Sequence, residues 1–433
     1  MDMFFFAQAN QNQPVSRLKR LTAAVVISSA LWGSAAQAES ATQEPSMQNV
    51  LQAVLAKQPE QLNVQSYADL VSSSQTAANA WLPNGMNMMV RHESDALTDD
   101  TGFQSWETGV SFPVGTGAQS SAYAKLGEAY QQQSAQYQSL LNWQASKLTR
   151  QLVWDLRLAE VQWHRSQQNQ GLVAALASKV EKLVLAGESP QMDAVLAQKG
   201  LLEAQKISVE ANNNYEQQLA NYQFWTGYSQ LPLSIEEREA PDWQVAQKQL
   251  ENHPLMQWAN SQLQKVQANK QLVQTQAVEK PSLFVGAKSE QDDQTAARTS
   301  LMVEMSFPLG KPATYGTVLA EQNQLVSEQQ VAMQKTKQTL TNDARQAVQA
   351  LQQSKSVLEV AQQQVDVSKQ ALSMAEKAYE LGETNIQTLL GVQKQMLQAL
   401  LELDQQQVMV QRQVAMVWQA LGKGIEPIQA KQD

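Results

Sequence analysis

The stretch SWETGVSFPVG at Ser105–Gly115 returns as SLMVEMSFPLG at Ser300–Gly310, 195 residues further on. In the first copy Trp106, Thr108, Val110 and Phe112 alternate with Ser105, Glu107, Gly109 and Ser111. In the second, Leu301, Val303, Met305 and Phe307 alternate with Ser300, Met302, Glu304 and Ser306. A period of two puts successive side chains on opposite faces of a strand, and the Pro-Gly exit ends it. Counted back from the shared Phe, Glu107 and Glu304 both fall on the face opposite it. The segments just upstream repeat the pattern: Met86, Met88 and Val90 against Asn87, Arg91 and Glu93, then Leu283, Val285 and Ala287 against Gly286, Lys288 and Glu290. Polar loops join the members of each pair, Asp95–Gly102 (DALTDDTG) and Gln291–Arg298 (QDDQTAAR). The reading is two β-hairpins, at about 83–114 and 281–309, with strands of roughly 9–11 residues, the length that crosses a bilayer when tilted. One apolar and one charged face at that length is the pattern of a transmembrane β-barrel. A small soluble sheet capping a helical structure would show the same alternation.

The offset of 195 runs through the whole chain. Gly187-Glu188 recurs as Gly382-Glu383, Pro59 as Pro254, and Gly227 as Gly422. Leu201-Leu202-Glu203-Ala204 lines up with Met396-Leu397-Gln398-Ala399. Matches in one register over the full unit mark an internal duplication: repeat 1 at 47–227, a linker at 228–241 that contains QLPLSIEEREAP, and repeat 2 at 242–422. Each repeat reads as a short helix, a second helix, a hairpin, a very long helix (about 119–186 or 314–381), a Gly turn and a last helix. About 67 residues of helix span roughly 100 Å, far more than the thickness of a compact domain.

The long helices carry a 4,3,4,3 seam. In the second copy it runs Leu340, Ala344, Ala347, Leu351, Ser354, Leu358, Ala361, Val365, Ser368, Leu372, Ala375 and Tyr379. The first copy matches it from Ala145 through Leu152, Leu156, Ala159 and Val173 to Val184. A mean period of 3.5 predicts left-handed supercoiling, and the many small seam residues allow close approach to more than one neighbour. Composition agrees: 69 of 433 residues are Gln, with only 18 Gly and 13 Pro. The formal net charge of −9 argues against a nucleic-acid partner. With no Cys there is no disulfide, thiol catalyst or lipid-modified Cys, and His92, His164 and His253 lack metal-ligand spacing.

The N-terminus reads as a cleavable secretory signal over 1–38. Arg17, Lys19 and Arg20 precede the apolar run Leu21–Gly33, which is too short to span a bilayer, and Ala36-Gln37-Ala38 supplies small residues for cleavage between Ala38 and Glu39. Export without cysteine fits a bacterial envelope. Four strands cannot close a barrel, and open edges are not tolerated in lipid. The membrane reading therefore requires several copies of the chain to share one barrel.

These features together resemble the TolC-type outer-membrane efflux proteins: the helix–hairpin–long helix–helix repeat, the Phe-Pro-Leu-Gly strand exits, the turns LAGES at 185–189 and LGETN at 381–385, and the following Leu389-Leu390 with Gln393. The pattern Glu107-Thr108-Gly109-Val110-Ser111-Phe112-Pro113 looks like the heavy-metal efflux branch. The resemblance implies a mainly α fold with a transmembrane β-barrel: a long coiled-coil α-barrel plus two β-hairpins per protomer, internally duplicated and trimeric. It implies a passive duct in the outer membrane of a Gram-negative bacterium, with a large periplasmic part, no cofactor and no enzyme activity. Its implied partners are a periplasmic adaptor (membrane-fusion) protein, an inner-membrane pump and outer-membrane lipid.

Site expectations follow. Arg91, Glu93, Glu107, Lys288, Glu290 and Glu304 are expected to face a pore, and Trp81 and Trp106 suit an aromatic girdle, with His92 interfacial. The turns Gly187, Glu188, Ser189 and Gly382, Glu383, Thr384, Asn385 are expected to form the distal tip that docks the adaptor. Their glycines supply left-handed helix stops, and Ser189, or Thr384 with Asn385, caps the next helix. Asp193, Glu380 and Glu383 are the acidic residues nearest that tip. No catalytic constellation or metal ligand set is legible. A periplasmic coiled-coil adaptor would need β-rich domains flanking one helical hairpin, which the duplicated plan does not provide; a secreted structural coiled coil is the other alternative.

Overall fold

A computed structural model describes residues 44–82, 85–98 and 101–425; the segment expected to be a secretory signal, with cleavage expected between Ala38 and Glu39, lies outside the described residues. Eight α-helices and four strands follow in chain order: α1 (Met47–Ala56), α2 (Leu62–Asn79), β1 (Asn87–Ser94), β2 (Gln104–Pro113), α3 (Gly117–Leu185), α4 (Gln191–Thr226), α5 (Trp243–Gln249), α6 (Pro254–Gln276), β3 (Ser282–Gln291), β4 (Arg298–Ser306), α7 (Tyr315–Glu380) and α8 (Ile386–Ala420). Among the described residues no helix is long and apolar enough to cross a membrane.

The helix ends follow from local chemistry. The Thr116 hydroxyl accepts from Gln119 N–H and starts α3. Pro254 opens α6, where a missing N–H costs nothing, and the preceding His253 accepts from Leu255 N–H through Nδ1. Within the 69 residues of α3 and the 66 of α7 there is no proline to interrupt the ladder.

α3 pairs with α4 over its distal half and α7 likewise with α8, while nearer the sheet α2 lies against α3 and α6 against both long helices. All twelve seam positions of each long helix are buried or half-buried, and Leu340, Ala344, Leu351, Ala361 and Val365 are fully so. The apolar core is a string of small clusters rather than one mass. One joins α1, α3 and α4 around Val50, Leu141 and Tyr222. Another joins α5, α7 and α8 around Ala246, Ala344 and Val417. A third, at the far end, brings Val180, Ala197, Ile386 and Leu389 together.

At mid-height a buried polar junction ties three segments together. Arg150 on α3 is fully buried. Its Nε and Nη2 donate to the two Glu237 carboxylate oxygens, each at 2.7 Å. Nη1 also donates to Gln419, and the Lys423 and Gly424 carbonyls accept at 3.1 Å. Nearby, His253 is fully buried and stands edge-on to Trp143 at 4.8 Å. Burial pushes its pKa down to about 4, so it is neutral near pH 7.

Candidate functional site

The two hairpins join into one antiparallel sheet in the order β1-β2-β3-β4. The helical excursion that separates β2 from β3 leaves and returns, so strands far apart in sequence meet side by side. Register then fixes the faces. Arg91 is opposite Glu107, Glu107 opposite Lys288, Glu93 opposite Ser105, Ser105 opposite Glu290, and Phe284 opposite Glu304. All six charged side chains singled out in the sequence therefore share one face. On it Glu107 is nearly buried and pairs with Arg91 at 3.3 Å, while Lys288 pairs with Glu290.

The opposite face carries Met88, Val90, Val110, Val285, Leu301, Val303 and Met305. Met88 is 75% exposed and Leu301 77%, so a contiguous apolar surface has no cover among the described residues. His92 and Trp106 stack on this face at the loop end, with ring centroids 4.2 Å apart. Trp81, 77% exposed, follows the end of α2 near the helical end of the sheet. The outer strands β1 and β4 each pair on one side only.

The other candidate region is the pair of turns at the far ends of the long helices. Gly187 and Gly382 adopt φ of +78° and +72°. Glu188 N–H donates to the Leu183 carbonyl at 2.9 Å and Gly187 N–H to Val184 at 3.0 Å. Glu383 to Ala378 at 2.8 Å and Gly382 to Tyr379 at 3.1 Å repeat the arrangement. Both turns are Schellman stops. Glu188 and Glu383 are exposed. One local expectation is corrected here. Ser189 and Thr384 cap nothing: Pro190 stands at the start of α4 without a side-chain cap, and Asn385 alone caps α8, accepting from Thr388 N–H at 2.9 Å. Proline at 190 takes the cap position and leaves the Ser189 hydroxyl free to meet Tyr379 Oη at 3.3 Å.

A further link crosses between the helical pairs. Lys179 on α3 and Glu380 at the end of α7 form an ion pair at 2.9 Å. The hydrogen bond from Lys179 holds the Glu380 carboxyl below its ordinary range and raises the lysine. The sign is that of a carboxylate stabilised in its charged form: the link is complete above the ordinary Glu range and is lost as pH falls through the lowered value. Asp193 lies in the first turn of α4, where a helix N-terminus favours a carboxylate. Sequence reasoning missed Lys179 and Tyr379 as contacts, because a 201- or 190-residue separation leaves no local signal. Among the described residues no group of three or more His, Asp or Glu is placed to hold a metal ion.

This architecture, long paired helices carrying a four-stranded two-faced sheet, is the fold of TolC-like outer-membrane channels. CusC, solved in a study of folding and transmembrane channel formation, aligns over 88% of this chain and 92% of its own at a TM-score of 0.67 and 15% identity. The CmeC outer membrane channel of Campylobacter jejuni aligns over 89% and 88% at 0.66 and 14% identity. The MtrE outer membrane channel of Neisseria gonorrhoeae in its open state aligns over 88% and 90% at 0.64 and 15% identity. No family model and no curated protein sequence matches the chain.

Proposed function

We propose that this chain is a passive exit duct of the Gram-negative outer membrane, working as a homotrimer whose sheets together close one barrel. The observation that carries this reading is the sheet itself. Its apolar face is uncovered, four of the six charged side chains on its other face are in ion pairs, and both edge strands have open backbone groups. In lipid those edges must be satisfied, which further copies of the same sheet can do. The helical pairs then extend about 100 Å into the periplasm, and their turns offer the adaptor of an inner-membrane pump a place to dock. The repeats at 47–227 and 242–422 each supply one hairpin and one such turn. The test is mass: detergent-extracted protein from the outer-membrane fraction should be a trimer. A monomer with no resistant oligomer refutes the reading.

The face assignment is tested separately. With no native cysteine, single cysteines at Glu107, Glu304, Val110 and Val303 give unambiguous labelling. A membrane-impermeant thiol reagent should modify positions 107 and 304 and spare 110 and 303 in assembled trimer. The reverse pattern would invert the barrel register.

A further inference from the structure

Two helices at the edges of the helical body carry apolar stripes with no cover among the described residues. On α4, Val195, Leu202 and Val209 recur every seven residues; on α7, Val360, Val367 and Met374 do the same. All six are more than half exposed. A seven-residue repeat keeps each set on one face of its helix. Neither face is the one that packs inside the chain. Ala197 of α4 joins a buried cluster with α8, and a Cβ on Gly200 would meet Leu390 at 3.8 Å. Val195 and Leu202 stand two residues to either side of this pair, on the far side of the helix. On α7 the stripe stands two residues on from the seam positions Leu358, Val365 and Leu372, about 200° round the axis. The stripes are also matched in height. Lys394 of α8 pairs with Glu203 at 3.6 Å, so Leu202 is level with α8 residues 390–394. Leu372 packs on Ile386 and Leu389 of α8 below and on Met396 above, which brings Met374 to the same level.

We infer that these stripes form the lower contact between copies of this chain, α7 of one copy against α4 of the next, with Met374 beside Leu202 and Val367 beside Val209. This rests on the reading of the protein as a homotrimeric duct. Continuity with the sheet selects the occupant. β1 and β4 are the open edges, so a closed barrel pairs β4 of one copy with β1 of the next. The chain enters β1 from α2 and leaves β4 into α7, so that pairing sets α7 beside the next copy's α2. Val64 and Tyr67 of α2 and Tyr215 and Leu219 of α4 pack on one cluster with α3, and α4 therefore continues the α2 row further from the sheet. A contact that joins two different surfaces closes into a ring when the rotation allows it. Rotation about the barrel axis preserves height, so stripes level within one copy stay level across the contact. Equal steps of seven keep them matched along their length.

The experiment is crosslinking of the full chain in the outer membrane, where no native cysteine interferes. Leu202→Cys with Met374→Cys, treated with a short bifunctional thiol reagent, should move most of the chain into covalent dimer and trimer on a denaturing gel. Leu202→Cys with Val360→Cys uses the same two faces but offsets the sites by two heptads, about 21 Å, and should stay monomeric on the gel. Should the first pair fail to assemble, Val209→Cys with Val367→Cys repeats the test one heptad nearer the sheet. A trimer by mass whose matched pair links only within one chain, only to a periplasmic partner or not at all overturns the inference, and so does equal linking by the mismatched pair. A chain that is monomeric by mass before any reagent is added means that the duct reading itself has failed, which is a distinguishable result.

Discussion

Arg150→Ala is expected to destabilise the helical body by about 3–5 kcal/mol, the cost of leaving a buried charge without its counter-ion. All five guanidinium N–H groups are used: two on Glu237, one on Gln419 and two on the backbone carbonyls of Lys423 and Gly424. Truncation strands the Glu237 carboxylate in a buried site and unties the 228–241 segment and the end of α8 from α3. Lysine is a poor substitute, with three donors and no planar fork. The double change Arg150→Met with Glu237→Met should be milder than Arg150→Ala alone, because it removes both charges and keeps the volume. Loss of helical ellipticity on heating or in urea measures this. Unchanged melting of Arg150→Ala, or a double variant no better than the single, would show that the junction contributes nothing.

Gly382→Val is expected to act at the other end of the molecule. At φ of +72° a Cβ is strained wherever space exists, and space does exist here, with nothing within 4 Å of the added atom. The cost is therefore conformational, about 1–2 kcal/mol for an L-residue and more for a β-branched one. It falls on the turn that places Asn385 and the start of α8. The docking role proposed for Glu188 and Glu383 predicts that pump-dependent export drops severalfold while trimer yield holds, since the sheet and the seam from Leu340 to Leu372 lie elsewhere. Crosslinking from positions 188 and 383 to a periplasmic partner provides the second readout. Normal export by Gly382→Val together with no crosslink from either site would reduce these turns to connectors.

Much of this fold is written locally. Period-two alternation gave the faces of all four strands, because a strand has no other way to place successive side chains. The 3.5-residue seam named the buried stripe of both long helices, and the two turn glycines took the left-handed conformation their position required. What escaped was set by distance in the chain. Glu237 sits in a run, Glu236-Glu237-Arg238-Glu239, that reads as solvated linker, yet it is the buried partner of a residue 87 positions away. The adjacency of β2 and β3 depends on helices that carry the chain out and back, and no feature of either hairpin announces it. Phe284 falls on the charged face by register. Only the pairing of Gly109 with Gly286 shows why an aromatic ring can lie flat on the charged side.

The cluster at the far end has a consequence for length. Val180 of α3, Ala197 of α4 and Ile386 and Leu389 of α8 meet at one level, with Leu372, Ala375 and Tyr379 of α7 against them. A seven-residue insertion in the lower part of α3 would move its turn about 10 Å and keep its own stripe in phase. It would also carry Val180 past Ile386 and Leu389, unless α4, α7 and α8 grew by the same amount. The reach of this protein is therefore a calibrated dimension, changeable only in matched steps in four helices at once. Chimeras between channels of different depth should be spliced at equal heights in all four helices, not at equal positions in sequence.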